Sequence, residues 1–109
     1  MRLPDVIPNL IKYISENYNR LPQEVNQIIL FGSYAKGTQR ISSDVDIAMV
    51  ASQAWEREAR QEARDIFETF DPSVAISLFY TTLSKVSAVE NKFDANYWIR
   101  EEGVLLWER

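Results

Sequence analysis

Gly32 and Ser33, followed after ten residues by Asp44-Val45-Asp46, are the residue types and spacing in this chain best suited to chemistry. A Gly-Ser turn can offer backbone N–H groups and a hydroxyl to a phosphate, because Gly tolerates a tight turn and lets the anion approach the main chain. Carboxylates two positions apart on a strand point to the same side. They repel each other, and a divalent cation removes that cost. Mg²⁺, which favours carboxylate, phosphate and water oxygens, is the natural candidate. A phosphate-holding turn beside a metal-holding pair describes transfer of a nucleotidyl group from a nucleoside triphosphate, with metal ions stabilising the attacking and leaving oxygens.

These groups need two strands and a turn to position them. Val25 to Phe31 is rich in β-branched and large apolar residues and reads as a strand. Gly32 ends it, Ser33 to Lys36 opens a short helix, and Gly37 closes that helix as a C-cap. Free N–H groups and a partial positive charge at the helix start suit a triphosphate. Lys36 follows about one turn later and could add a cation. A plainly solvated reading stands beside that role for Lys36, as it does for Arg40. The second strand runs from Asp44 to Val50, with Val45, Ile47 and Met49 on one face and Asp44, Asp46 and Ala48 on the other. One face enters the core and the other carries both carboxylates. Ser42 and Ser43 cap and shape the loop before it.

Gly32, Ser33, Asp44 and Asp46 at this spacing resemble the signature of the minimal nucleotidyltransferase (MNT) domain family of the DNA polymerase β-like superfamily. The likeness runs from about Val25 to Glu108, since Asn96 to Glu108 is similar to the family's closing helix, Gly and strand. The resemblance implies a polymerase β-like nucleotidyltransferase fold, with Gly32, Ser33 and Lys36 holding ATP, and Asp44 and Asp46 holding Mg²⁺ and serving catalysis. Small stand-alone members often act as antitoxins beside a HEPN-domain ribonuclease toxin. The resemblance thus implies a hetero-oligomer in which AMP is attached to a tyrosine of that toxin, silencing it.

One position departs from the family pattern. A third carboxylate usually stands on a neighbouring strand, where it shares a metal and helps deprotonate the acceptor. The matching strand is Ser73 to Tyr80, with Val74, Ile76, Leu78 and Tyr80 on one face and Ser73, Ala75, Ser77 and Phe79 on the other. Ala75 is the best match for the third ligand, with Ser77 the second choice, and neither is acidic. Asp71 precedes Pro72 and reads as the start of a turn. A general base typically contributes ~10²–10⁴-fold in rate, so transfer without one would be slow.

Length and composition bound the alternatives. The chain has 109 residues, which suggests one domain over 1–109, and 46% apolar and 12% aromatic content suffice for a core. The absence of Cys and His leaves carboxylates as the only strong metal ligands. The net charge is −4 and the pI about 4.8, with no basic cluster, so direct binding of DNA or RNA is not expected. No run approaches the ~20 apolar residues of a membrane span, and the N-terminal Pro residues and Asp5 are unlike a signal peptide. A cytoplasmic location is expected.

The rest of the chain reads as packing elements. Asp5 to Tyr18 has apolar residues at helical spacing, with Pro4 early in the helix and Pro8 in its first turn. Gln53 to Phe70 reads as a helix with a stripe of Trp55, Ala59, Ala63, Ile66, Phe67 and Phe70, and a solvated face of alternating charge. Leu83 to Glu90 and Asp94 to Glu102 read as helices, Gly103 caps the last, and Val104 to Trp107 closes as a strand. Trp55, Trp98 and Trp107 read as core or interface residues, and Tyr34 either flanks the nucleotide or packs inward. The expected fold is α/β (α+β), with a mixed, mostly antiparallel sheet and helices mainly on one face. Three functions compete: an AMP-transferring antitoxin, a non-catalytic antitoxin that neutralises its toxin by binding, and a transferase for a small molecule or RNA. The last ranks lowest because such relatives carry an additional domain.

Overall fold

A computed structural model describes all residues, Met1–Arg109. In chain order the elements are α1 (Leu3–Asn17, extended by a 3-10 turn over Tyr18–Arg20), β1 (Val25–Phe31), α2 (Ser33–Lys36), β2 (Val45–Ala51), α3 (Arg57–Glu68), β3 (Ile76–Thr82), α4 (Leu83–Ala88), α5 (Ala95–Glu102) and β4 (Val104–Glu108). The four strands form one sheet in the order β3-β2-β1-β4. β1 is antiparallel to both β2 and β4, and β2 is parallel to β3. A parallel pair needs a crossover, and α3 supplies it. The sheet is therefore mixed and mostly antiparallel, as expected.

The alternation of β2 decides how the layers form. Val45, Ile47 and Met49 face the main core with Val6, Leu10 and Ile14 of α1 and Ala63, Ile66 and Phe67 of α3. On the other face, Asp46 is followed by Ala48 and Val50, so that face turns apolar one step past the carboxylate. It gains its own cover: Ile29, Ala48 and Val50 bury against Ile99 of α5, with Phe31, Phe79 and Val86 alongside. The two long helices share one face, while α4 and α5 lie on the opposite one. The expectation of helices mainly on one face holds for the long pair only.

Several boundaries move for identifiable reasons. The helix expected over Gln53 to Phe70 begins at Arg57, after an extended Glu56 (φ −89°, ψ 154°). Trp55 lies outside it and donates its indole N–H to the carbonyl of Thr81 at 2.8 Å, with its ring edge-on to Tyr80. α1 starts at Leu3, and Pro8 lies inside the helix, beyond the first turn. Pro8 lacks an N–H for the helical ladder, yet burial of Val6, Leu10 and Ile14 carries the helix past it. β3 starts at Ile76, not Ser73, because Asp71 to Val74 is a turn. Ser73 donates its N–H and hydroxyl to the Asp71 carboxylate at 2.8 and 2.6 Å, and the Val74 N–H reaches the Asp71 carbonyl at 3.1 Å.

Gly103 ends α5 as expected, although for a steric reason. Its φ of −67° suits any residue. A Cβ there would stand 2.2 Å from the Ile99 carbonyl oxygen and 2.5 Å from Cγ2 of Ile29. Only a residue without a side chain lets α5 turn into β4 while pressed on β1.

Candidate active site

The site forms at one end of the sheet, where β1 runs out and β2 and β3 begin. Gly32 follows Phe31, and Phe31 pairs with Asp46 across the β1–β2 ladder. The backbone at Gly32 (φ 72°, ψ −153°) lies in a region essentially restricted to glycine. A Cβ on Gly32 would sit 2.2 Å from Oδ2 of Asp46. Two independent constraints, conformation and space, therefore require glycine here, and the second ties the turn to the carboxylate. α2 is a single turn closed by Gly37 in the left-handed conformation (φ 73°, ψ 19°), which satisfies the Ser33 carbonyl. Its first N–H groups have no partner within so short a helix.

Gly32→Ala is expected to cost about 1–3 kcal/mol from backbone strain alone, with a further loss because Asp46 must move. Urea unfolding reads the stability.

Asp46 is partly buried and Asp44, one residue before β2, is exposed. Burial raises the Asp46 pKa above its ordinary 3.8, and the nearby Asp44 charge raises it further. The chain's two ion pairs, Lys36–Glu102 and Arg100–Glu101, leave both aspartates out. A desolvated carboxylate pushed up by a second one, with no cation from the chain, is a donor set suited to a hard divalent ion. Because the folded pKa lies above the unfolded one, ionised Asp46 costs stability at neutral pH. That cost fades as pH falls through the folded value. Metal-free Asp46→Asn is therefore expected to melt at a higher temperature than the parent near neutrality. The gap should close in acid, where the parent carboxyl is protonated. Thermal scans across pH in EDTA test this.

The β2–β3 register places the candidate third ligands. Asp46 pairs with Ser77, Val45 pairs with Ile76, and Ala75 accepts a hydrogen bond from the Val45 N–H at 2.8 Å. One step further along the same register, Ala75 stands beside Asp44. Ala75 and Ser77 are both exposed, and neither adds a charge. Asp71 is held in its turn, and hydrogen bonds from the Ser73 side chain and backbone lower its pKa. No group of three or more His, Cys, Asp or Glu is arranged to hold a metal ion, so the carboxylate set at this site is the Asp44–Asp46 pair.

The flanking residues divide. Lys36 lies close to α5: its ammonium is 3.4 Å from Glu102 and 5.5 Å from the centre of the Trp98 ring. Ser43 shapes the loop as expected, accepting from the Arg40 N–H at 2.9 Å and donating its own N–H to the Arg40 carbonyl at 2.9 Å. Tyr34 is buried in the main core at 9% exposure, which favours packing over a place beside a nucleotide. Glu102 and Trp98 as partners of Lys36 were not legible in the sequence, because only the packing of α5 brings them to α2. Phe31 and Phe79, 6.2 Å apart and edge-on, stand beside Asp46 on its face of the sheet. Strand alternation could have found that pair.

Residues 9–109 match the family described as polymerase beta, nucleotidyltransferase. The protein adenylyltransferase MntA of Shewanella oneidensis is 38% identical over 66 residues, which is 60% of this chain and 45% of that protein. The match thus spans less than half of that relative's length. Among solved structures, a chain of a toxin–antitoxin complex with AMP-PNP is similar at TM-score 0.58 and 24% identity, over 94% of this chain and 73% of that one. A chain from the complex of tri-AMPylated Shewanella oneidensis HEPN toxin with MNT antitoxin is similar at TM-score 0.50 and 21% identity, over 94% and 70%. At these identities the two structures speak to the fold.

Proposed function

Because this chain belongs to the polymerase beta nucleotidyltransferase family, we propose that it is an MNT-type antitoxin that transfers AMP from ATP to a tyrosine hydroxyl of a HEPN ribonuclease toxin. The observation that carries this reading is the apposition of Gly32 and Asp46, where a missing Cβ is all that separates the phosphate turn from a carboxylate oxygen. The likeness to a protein adenylyltransferase supports the reaction class, and the likeness to chains of toxin–antitoxin complexes supports the fold. No helix is long and apolar enough to cross a membrane.

Within this reading, Gly32 and Ser33 bind the β- and γ-phosphates through backbone N–H groups and the hydroxyl, and Lys36 leaves Glu102 to add its cation. Asp44 and Asp46 would hold Mg²⁺, which when bound polarises the phosphoryl oxygens and stabilises the leaving group. Asp44 and Asp46 would set that cation at the start of β2, beside the Gly32 turn. The Phe31–Phe79 pair excludes water from the buried side of Asp46. With alanine at position 75, no side chain is placed to take the acceptor's proton, so that proton leaves to solvent.

The test is direct. The purified chain is incubated with Mg²⁺, ATP and the toxin encoded beside it, and the intact toxin is weighed by mass spectrometry. A gain of one or more AMP masses is expected. An unchanged mass with a stable complex would replace this reading with neutralisation by binding, which the two-carboxylate site also favours. In that case Asp44→Asn and Asp46→Asn proteins would neutralise as well as the parent.

A further inference from the structure

We propose that the free edge of β3 receives an extended segment of a partner protein, antiparallel to β3, acidic where it passes Tyr80 and apolar where it passes Leu78 and Ile76. This surface goes beyond the nucleotidyl-transfer reading and does not depend on it.

The sheet order leaves β3 and β4 at its two edges. Natural sheets blunt an exposed edge with a short strand, a bulge, Pro or a charged side chain. β4 carries three of these marks: it has five residues, its register against β1 shifts, and it ends in Glu108. β3 carries none. It runs for seven residues, Ile76–Thr82, without Pro, Gly or a charge, in unbroken register with β2.

The backbone of β3 is set by one bond. The Val45 N–H donates to the Ala75 carbonyl at 2.8 Å. Backbone polar groups along a strand point alternately to its two edges. Ser77 and Phe79 therefore serve the β2 ladder, and Ile76, Leu78 and Tyr80 aim their N–H and C=O groups outward. No turn or loop backbone group bonds to those three. They form a row that the main chain of an added strand can pair with.

Side chains give the chemistry of the occupant. Ile76 and Leu78 are half-buried, and with Phe67 and Val74 they line a groove of about 370 Å³ on the α3 side. Alternate side chains of an added strand would point into that groove. Arg64 borders it, while Arg60 and Lys85 border a second groove of about 290 Å³ beside Tyr80 and Thr82. The second groove has no acidic residue in its lining. Both ion pairs of the chain lie elsewhere, so these three cations are unpaired in a protein of net charge −4. The first groove also holds Glu68 and Asp71, and the Asp71 carbonyl takes the Val74 N–H just before β3. Carboxylates of a partner are thus repelled near Ile76 and attracted near Tyr80. Antiparallel pairing is the more stable kind, so the segment reads acidic first and apolar second.

The test titrates the ¹⁵N-labelled full chain with acetyl-Glu-Glu-Val-Thr-Val-amide. Amide shifts are expected at Ile76, Leu78 and Tyr80 and along Arg60 to Arg64, with slower hydrogen exchange at the three outward N–H groups. The same peptide N-methylated at its central Val and Thr should bind at least roughly tenfold more weakly, and so should acetyl-Lys-Lys-Val-Thr-Val-amide. A chain carrying both Arg60→Glu and Arg64→Glu should reverse the preference between the acidic and basic peptides. Shifts that fall elsewhere, or are absent, overturn the proposal. Parent-like binding of the N-methylated peptide overturns strand addition, and an unreversed preference in the charge variant overturns the acidic partner. Shifts at Ile76 to Thr82 that depend on protein concentration without any peptide would assign the edge to a second copy of the chain and also overturn it.

Discussion

Under the proposed function, replacing Asp46 with Asn is expected to lower AMP transfer to the HEPN partner by roughly 10³-fold or more. A metal acting as Lewis acid contributes several kcal/mol of transition-state stabilisation, and each 1.36 kcal/mol is tenfold in rate. Asp46 is the sharper of the two positions because its carboxylate occupies the space beside Gly32, so in the proposed site it would stand between the Gly-Ser turn and the cation. Asp44→Asn should act in the same direction. The substitution also removes a carboxylate whose ionisation costs stability, so the variant should fold at least as well as the parent. Lost transfer in a protein with an unchanged or higher melting temperature isolates the chemical role. Toxin binding by calorimetry should be retained. Transfer at the parent rate would remove Asp46 from the metal site and with it the proposed mechanism.

Ala75→Asp is expected to do the opposite and raise the rate of the chemical step by about 10²-fold. That is the lower end of the ~10²–10⁴-fold typical of a general base, because a phenol needs less help than an alkyl hydroxyl. The register places position 75 beside Asp44, next to the β2–β3 pairing that also sets Ser77 against Asp46. An added carboxylate there would meet two others, so its pKa should rise toward the range where it can accept a proton. The gain should therefore appear in kcat, with the acceptor KM little changed. Single-turnover kinetics separate the two. Ser77→Asp is the control, and a gain there in place of Ala75→Asp would move the third-ligand position one step along the strand face. No gain at either position would mean that the two-carboxylate site already runs without an enzyme base.

How much of this was legible in the sequence differs by element. β1, α2 and the Gly37 cap matched the expected positions residue for residue, since each has a local signal: a run of apolar strand formers, then two glycines at turn positions. The faces of β2 were legible because strand alternation depends on nothing distant. The helix expected from Gln53 started four residues late, because apolar spacing cannot tell a helical tryptophan from one that leaves the helix to reach Thr81. Which face α4 and α5 cover was not legible for a similar reason: Ala48 shares the carboxylate face of β2, and only the docking of α5 shows that face turning apolar past Asp46.

The sequence by itself determined the chemistry on offer: a glycine-serine turn, a carboxylate pair two residues apart, and no acid at position 75. Those are properties of residue identity and short spacing, and local backbone geometry is enough to interpret them. Only the tertiary structure decided that Gly32 and Asp46 share one space, that Ser77 rather than Ala75 pairs directly with Asp46, and that Lys36 rests on Glu102 and Trp98. It also decided that β3 is left at an edge of the sheet. Strand register and helix docking set these relations, and they depend on burying apolar surface across the whole sheet. No window of sequence contains that information, because the partners meet only after the chain has closed on itself.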